Sequence, residues 1–153
     1  MIKNLKLFTV LFLALAIQSC SNNDDDDYVT QPKTIYEHVA TSSNYSYLTY
    51  ALQKTNLDGV LNGTDNYTLY APNNMAFSRF LMEAGFSNVD EVPKEVLTQI
   101  LLNHVMAGLI QYRDFETGYF QTAANSAATG TPLSIHIEQV NMRVTLNGES
   151  RIT

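Results

Sequence analysis

The apolar residues of this chain change their spacing once, near Gly108, and that change constrains the fold more than any other feature. Before it they recur at helical spacing, and after it they alternate residue by residue. Thr34-Ile-Tyr-Glu37 carries the Ser/Thr-x-x-Glu spacing that satisfies orphan donors at a helix start. A second helix is predicted over residues 46–55, with Tyr47, Leu48, Ala51 and Leu52 as its apolar stripe. Asp58-Gly59 and Asn62-Gly63 mark turns on either side of Val60-Leu61. Tyr67-Thr-Leu-Tyr-Ala71 suits a strand that Pro72 ends, and Asn73 or Asn74 can cap the helix that follows. That helix buries Ala76, Phe77, Phe80, Leu81 and Ala84, and Gly85 fits a left-handed cap at its end. A further helix begins near Pro93, turns Val96, Leu97, Ile100 and Leu101 inward and reaches His104.

Beyond Gly108, residues 118–122, 132–138 and 142–148 read as strands. Leu133, Ile135 and Ile137 alternate with polar residues in the second, as do Met142, Val144 and Leu146 in the third. Helices first and strands later predict an α+β domain rather than a repeated βαβ unit.

The chain start predicts where that domain works. Lys3 and Lys6 precede an apolar run from Leu7 to Ile17, whose helix would cover about 16 Å and cannot span a bilayer core of about 30 Å. A charged start, a short apolar stretch and small residues describe an export signal, assigned to residues 1–19. Ile17-Gln-Ser-Cys20 resembles the lipobox of bacterial lipoproteins. That resemblance implies cleavage before Cys20 and acylation of the cysteine, palmitate being among the chains attached. Cys20 is the only cysteine, so no intrachain disulfide can form and the fold must rest on its apolar core.

Residues 20–33 form the expected tether. The four consecutive aspartates at 24–27 repel one another and predict a solvated linker. An acidic run directly after the lipidated cysteine resembles the surface-export signal of some Gram-negative lipoproteins. It implies an outer-membrane, surface-exposed location, with the periplasmic face as the alternative. Without residues 1–19, seven basic residues face fifteen acidic ones. So acidic a chain has no electrostatic route to nucleic acid, so the expected membrane contact is the lipid anchor itself.

Two ordered segments and a turn then identify a family. Thr68-Leu-Tyr-Ala-Pro-Asn-Asn-Met-Ala-Phe77 resembles the first signature of fasciclin domains, through Thr68, Ala71, Pro72, Asn73, Asn74, Ala76 and Phe77. Leu101-Leu-Asn-His-Val-Met-Ala-Gly108 resembles the second, centred on His104, and Asn147-Gly148 resembles the late turn. The resemblance covers residues 34–153. It implies N-terminal helices packed on an antiparallel β-sandwich or wedge, with signature residues that build the fold rather than a catalytic site. Family members continue past this turn into a further strand region, whereas this chain stops at Thr153. The resemblance therefore implies that the last strands are missing, in a fragment or a short variant.

His104 could be a ligand, an acid/base or a buried hydrogen-bonding core residue, and the resemblance favours the last. His38, His104 and His136 fall on separate elements without metal-ligand spacing, and neither a Gly-x-Ser-x-Gly motif nor a phosphate-cradling glycine loop occurs. No enzyme activity, cofactor or metal is expected. The resemblance implies a cell-surface adhesion or interaction module with an unidentified protein or glycan ligand. The alternative is a carbohydrate-capturing accessory lipoprotein. Tyr45 and Tyr50, off the predicted helical stripe, are candidates for a surface that binds sugar or protein.

Overall fold

The computed structural model describes residues 32–152, so Cys20, the export signal and the acidic run lie outside the described residues. Helix α1 (Ile35–Ala40) starts as its sequence dictates. Thr34 accepts from the Glu37 amide while the Glu37 carboxylate accepts from the Thr34 amide. Helix α2 (Ser46–Thr55) buries Leu48, Ala51 and Leu52 and ends on Asn56 in the left-handed region. Asn62-Gly63 turns as predicted, but Asp58–Leu61 departs from the turn predicted at Asp58-Gly59. It forms a one-turn helix, α3, with Gly59 inside it, because Leu61 must turn inward onto the helical core.

Strand β1 (Tyr67–Leu69) pairs antiparallel with β2 (Val105–Ala107), a strand that the periodicity did not reveal. Between them run α4 (Asn74–Ala84) and α5 (Lys94–Leu102). Helix α4 ends on Gly85 at φ +76°, where a side chain would be strained. It buries Phe77 and Leu81, but Ala76 and Ala84 face solvent, so its buried stripe is narrower than expected. Pro93 precedes the first turn of α5 rather than entering it. Leu97 and Leu101 are buried, Val96 is exposed, and the helix ends before His104.

The four-stranded sheet runs in the order β3 (Gly118–Asn125), β4 (Pro132–Val140), β5 (Arg143–Leu146) and β6 (Ser150–Arg151), all antiparallel. Ile135, Ile137 and Val144 alternate inward as predicted. Leu133 and Met142 do not. Leu133 lies at the exposed start of β4, and Met142 sits in the β4–β5 turn with most of its side chain in solvent. Between Gln121 and Asn125 the pairing of β3 with β4 shifts, and Thr122 and Ala124 are buried there while α5 packs against β3.

Two apolar cores result. One joins α1–α5, and the other lies under the four-stranded sheet. The β1–β2 ribbon divides them, because neighbouring strand residues face opposite ways. Leu69 and Val105 pack into the helical core, while the next residues, Tyr70 and Met106, pack into the sheet core.

Candidate functional site

The signature segment is a strand-to-helix corner in which each polar side chain has a bonding task. The Thr68 hydroxyl donates to the Gly108 carbonyl at 2.8 Å and accepts from the Ile110 amide at 3.0 Å, fixing the chain where it leaves β2. Gly108 has φ +94°, which only glycine adopts without strain. Ala71 packs half-buried against the helical core, and Pro72 follows it with no N–H to donate. Asn73 caps its own helix by accepting from the Ala76 amide at 2.9 Å.

Asn74 does something different. Its side-chain oxygen accepts from the Tyr47 amide (3.1 Å) and the Ser46 hydroxyl (3.2 Å), and its side-chain nitrogen donates to the Ser43 carbonyl (2.8 Å). Helix α2 has no cap of its own, so Asn74 supplies one from a neighbouring helix. The two asparagines that the sequence offered as alternatives cap two different helices. Phe77 completes the corner, buried against Tyr47 with ring centroids 6.2 Å apart.

His104 lies at the junction of α5 and β2. Its Nδ1 is 2.8 Å from the Ile100 carbonyl, its amide donates to Leu101, and its carbonyl accepts from the Tyr70 amide. The ring is tied to the last turn of the helix while the backbone extends the ribbon. Asn147 and Gly148, at φ +52° and +73°, form a tight turn closed by the Glu149 amide on the Leu146 carbonyl. The Asn147 side chain also accepts from the His136 amide at 3.0 Å, extending the β4–β5 ladder. Tyr70 donates its hydroxyl to the Met106 sulfur, a weak acceptor, and burial pushes its pKa up to about 12. Among the described residues, no three His, Cys, Asp or Glu side chains converge as metal ligands would.

The signature residues thus lie at internal joints, and open surface lies elsewhere. The outer face of the four-stranded sheet carries Glu138, Thr145 and Arg151 in one cross-strand row, and Tyr119 against His136 at 4.8 Å. A shallow groove of about 460 Å³ runs there, with Glu138, Arg143 and Arg151 along it. Neither arginine forms an ion pair with a described residue. At its end the β4–β5 turn presents Met142 at φ +61° and 81% exposed, its carbonyl held by the Tyr112 hydroxyl at 2.8 Å. The alternating pattern had placed Met142 inward. Only the failure of Asn141-Met142 to extend the ladder reveals the turn.

A second opening, of about 270 Å³, lies where the loop after α1 meets α2. Ser46, Thr49, Tyr50 and Gln53 line it at i, i+3, i+4 and i+7 of one helix face, opposite Thr41, Ser42 and Ser43. The Tyr50 hydroxyl donates to the Asp90 carboxylate, which raises the phenol pKa above its usual value. Tyr45, the other candidate tyrosine, packs half-buried against the helical core.

A two-core α+β scaffold of helices followed by antiparallel strands, with its signature residues at internal joints, is the class of protein defined here. Residues 43–153 match the family model described as Fasciclin domain, and the chain belongs to that family. Its fold resembles that of a FAS1 domain pair from the insect cell adhesion molecule fasciclin I, at TM-score 0.56 and 13% identity. The likeness covers 74% of this chain and 41% of that one, so this chain spans well under half of the domain pair. No curated protein sequence matches it.

Proposed function

We propose that this protein is a non-catalytic adhesion and interaction module, held at the outer surface of a Gram-negative envelope by an acylated Cys20 and extended on its acidic tether. The observation that carries the module reading is the use of the signature residues. Thr68, Asn73, Asn74, His104 and Asn147 each bond to protein backbone, so they serve the scaffold rather than a reaction. Family membership supports it. An insect cell adhesion molecule shares the fold, and adhesion comes to this chain by analogy with it. The lipobox at residues 17–20 and the aspartates at 24–27 support the anchor and the surface location.

The contact surface is the outer face of the four-stranded sheet. Arg143 and Arg151, which form no ion pair with a described residue, stand out in an acidic protein, and Met142 with Tyr112 adds an apolar anchor beside them. Two measurements test the reading. Membrane-impermeant labelling of intact cells should be lost in Cys20→Ala and reduced when residues 24–27 are deleted. Cell or matrix attachment should fall at least about tenfold in an Arg143→Glu/Arg151→Glu protein with an unchanged thermal transition. Unchanged attachment would remove the sheet face from the proposal.

A further inference from the structure

We infer that the cleft between the loop after α1 and helix α2 is a binding site for a neutral carbohydrate, with the Tyr50 ring as its stacking platform. The inference goes beyond the adhesion reading and concerns a different face of the domain from the arginine-bearing sheet. Three observations carry it.

The first is the absence of charge. Among the described residues no Lys, Arg, Asp or Glu lines the cleft, although the chain carries fifteen acidic and nine basic residues. An exposed helix face normally carries such residues, and this one carries Ser46, Thr49, Tyr50 and Gln53 instead. The charge that touches its lining, the Asp90 carboxylate, is engaged by the Tyr50 hydroxyl.

The second is the bonding state of the polar groups. Thr41 donates its hydroxyl proton to the Glu37 carbonyl at 2.9 Å, Thr49 to Tyr45 at 3.0 Å, and Ser46 to Asn74 at 3.2 Å. The Gln53 amide nitrogen donates to the Tyr36 hydroxyl at 2.7 Å, which leaves its carbonyl oxygen available. With their single protons committed to the protein, the hydroxyls of Thr41, Ser46 and Thr49 offer lone pairs, beside the Gln53 carbonyl oxygen. A row of fixed acceptors selects a ligand rich in hydroxyl donors, as a sugar is.

The third is the tyrosine. Tyr50 is 44% exposed, and its hydroxyl is held by Asp90, forty residues along the chain. The long axis of the ring is therefore anchored at both ends before a ligand arrives, which lowers the ordering cost of stacking against the C–H face of a pyranose. The opening is small and shallow, so it suits a terminal or single unit of a glycan rather than an enclosed ligand.

The test titrates the full chain, held in detergent, with mannan, galactan and maltoheptaose as neutral probes, dextran sulfate as the anionic probe and tetramethylammonium as the cationic one. The expected result is saturable binding to at least one neutral glycan, unchanged when salt is raised about tenfold. Tyr50→Ala should weaken that binding by about tenfold or more, whereas Tyr50→Phe, which keeps the ring, should lose no more than about threefold. Thr49→Val removes one acceptor without changing shape and should cost about three- to tenfold. Binding to dextran sulfate or tetramethylammonium alone overturns the inference. So does binding to none of the neutral probes, or neutral-glycan binding that survives both Tyr50→Ala and Thr49→Val. Because Arg143 and Arg151 lie on the sheet face, loss of attachment in their double variant with intact glycan binding would separate the two proposals.

Discussion

Twelve buried apolar residues close the helical core, whereas six close the core under the four-stranded sheet, counted among the described residues. The helical core draws leucines from α2, α3, α4 and α5, interlocked from several directions. The sheet core has fewer anchors, and three of them come from outside the sheet: Met106 of the ribbon, Tyr70 just past β1, and Phe115 before β3. The sheet half is therefore the weaker of the two, and the ribbon decides whether it can open alone. Strands that share residues with both cores should make the domain unfold as a unit.

The largest effects should come from emptying the cores. Leu52 is fully buried, and Leu52→Ala should cost about 3–5 kcal/mol, with Ile137→Ala costing about 2–4 kcal/mol because the thinner core can collapse further. Urea unfolding followed by far-UV dichroism and by tyrosine fluorescence should give coincident transitions for both variants. If Ile137→Ala instead lost its sheet signal before its helical signal, the ribbon would not couple the cores.

Lys54 should come next. Its ammonium donates to the carbonyls of Val89, Asp90 and Val92 at 2.8–2.9 Å, tying α2 to the turn that precedes α5. Lys54→Met keeps the stem but strips three acceptors of a charged donor, and should cost about 2 kcal/mol in urea denaturation. This contact illustrates what the sequence withholds. A lysine in a last helical turn reads as a solvated or dipole-favoured charge, and only the tertiary approach of residues 89–92 shows that it is a clasp.

The starts of α1 and α2 and the ends of α2 and α4 were legible because they are local, whereas the end of α5 and the whole of α3 were not. The Thr34–Glu37 box, residues 46–55 of α2 and Gly85 depend on neighbours within a few positions. The corner at Asn73 was half legible: one cap was predicted, and the second, on α2, requires knowing that α2 and α4 touch. Strand β2 was hidden because Val105-Met-Ala107 is three residues long and continues the apolar register of α5. Met142 was misplaced because alternation cannot reveal where a hairpin turns without a glycine to mark it. Of the surface sites, Tyr50 could be singled out from its position off the stripe. The pairing of Arg143 with Arg151 along one groove depends on strand register.

Asn74→Ala measures the interhelical cap and should cost about 1–2 kcal/mol, comparable with or above Asn73→Ala, which removes an ordinary cap. A smaller cost for Asn74→Ala would mean that α2 is capped adequately by water.

A pH titration should touch the sheet core at Tyr70. Its pKa is raised by burial from 10 to about 12, so the neutral phenol is favoured in the folded state. Stability is unaffected below pH 10 and falls as pH rises from 10 towards 12, where the unfolded chain has ionised and the folded one has not. The loss should reach about 1 kcal/mol near pH 10.7 and keep growing towards pH 12, and Tyr70→Phe should remove it. Equal pH sensitivity in Tyr70→Phe would place the titrating group elsewhere.

The smallest stability effect, and the one that bears most on function, concerns the turn at the end of the sheet. Met142 holds φ +61° at a position where glycine would carry no steric cost, and its side chain is almost wholly in solvent. Packing therefore does not account for methionine there. Met142→Gly should raise stability by about 0.5–1 kcal/mol by relieving the backbone, read as a higher urea midpoint. If the turn is an apolar anchor beside Arg143, the same substitution should weaken attachment while stabilising the fold, the combination expected where strain is retained for contact. A variant that gains stability and keeps full attachment would leave Met142 outside the contact surface. The two arginines would then be the recognition element of the sheet face.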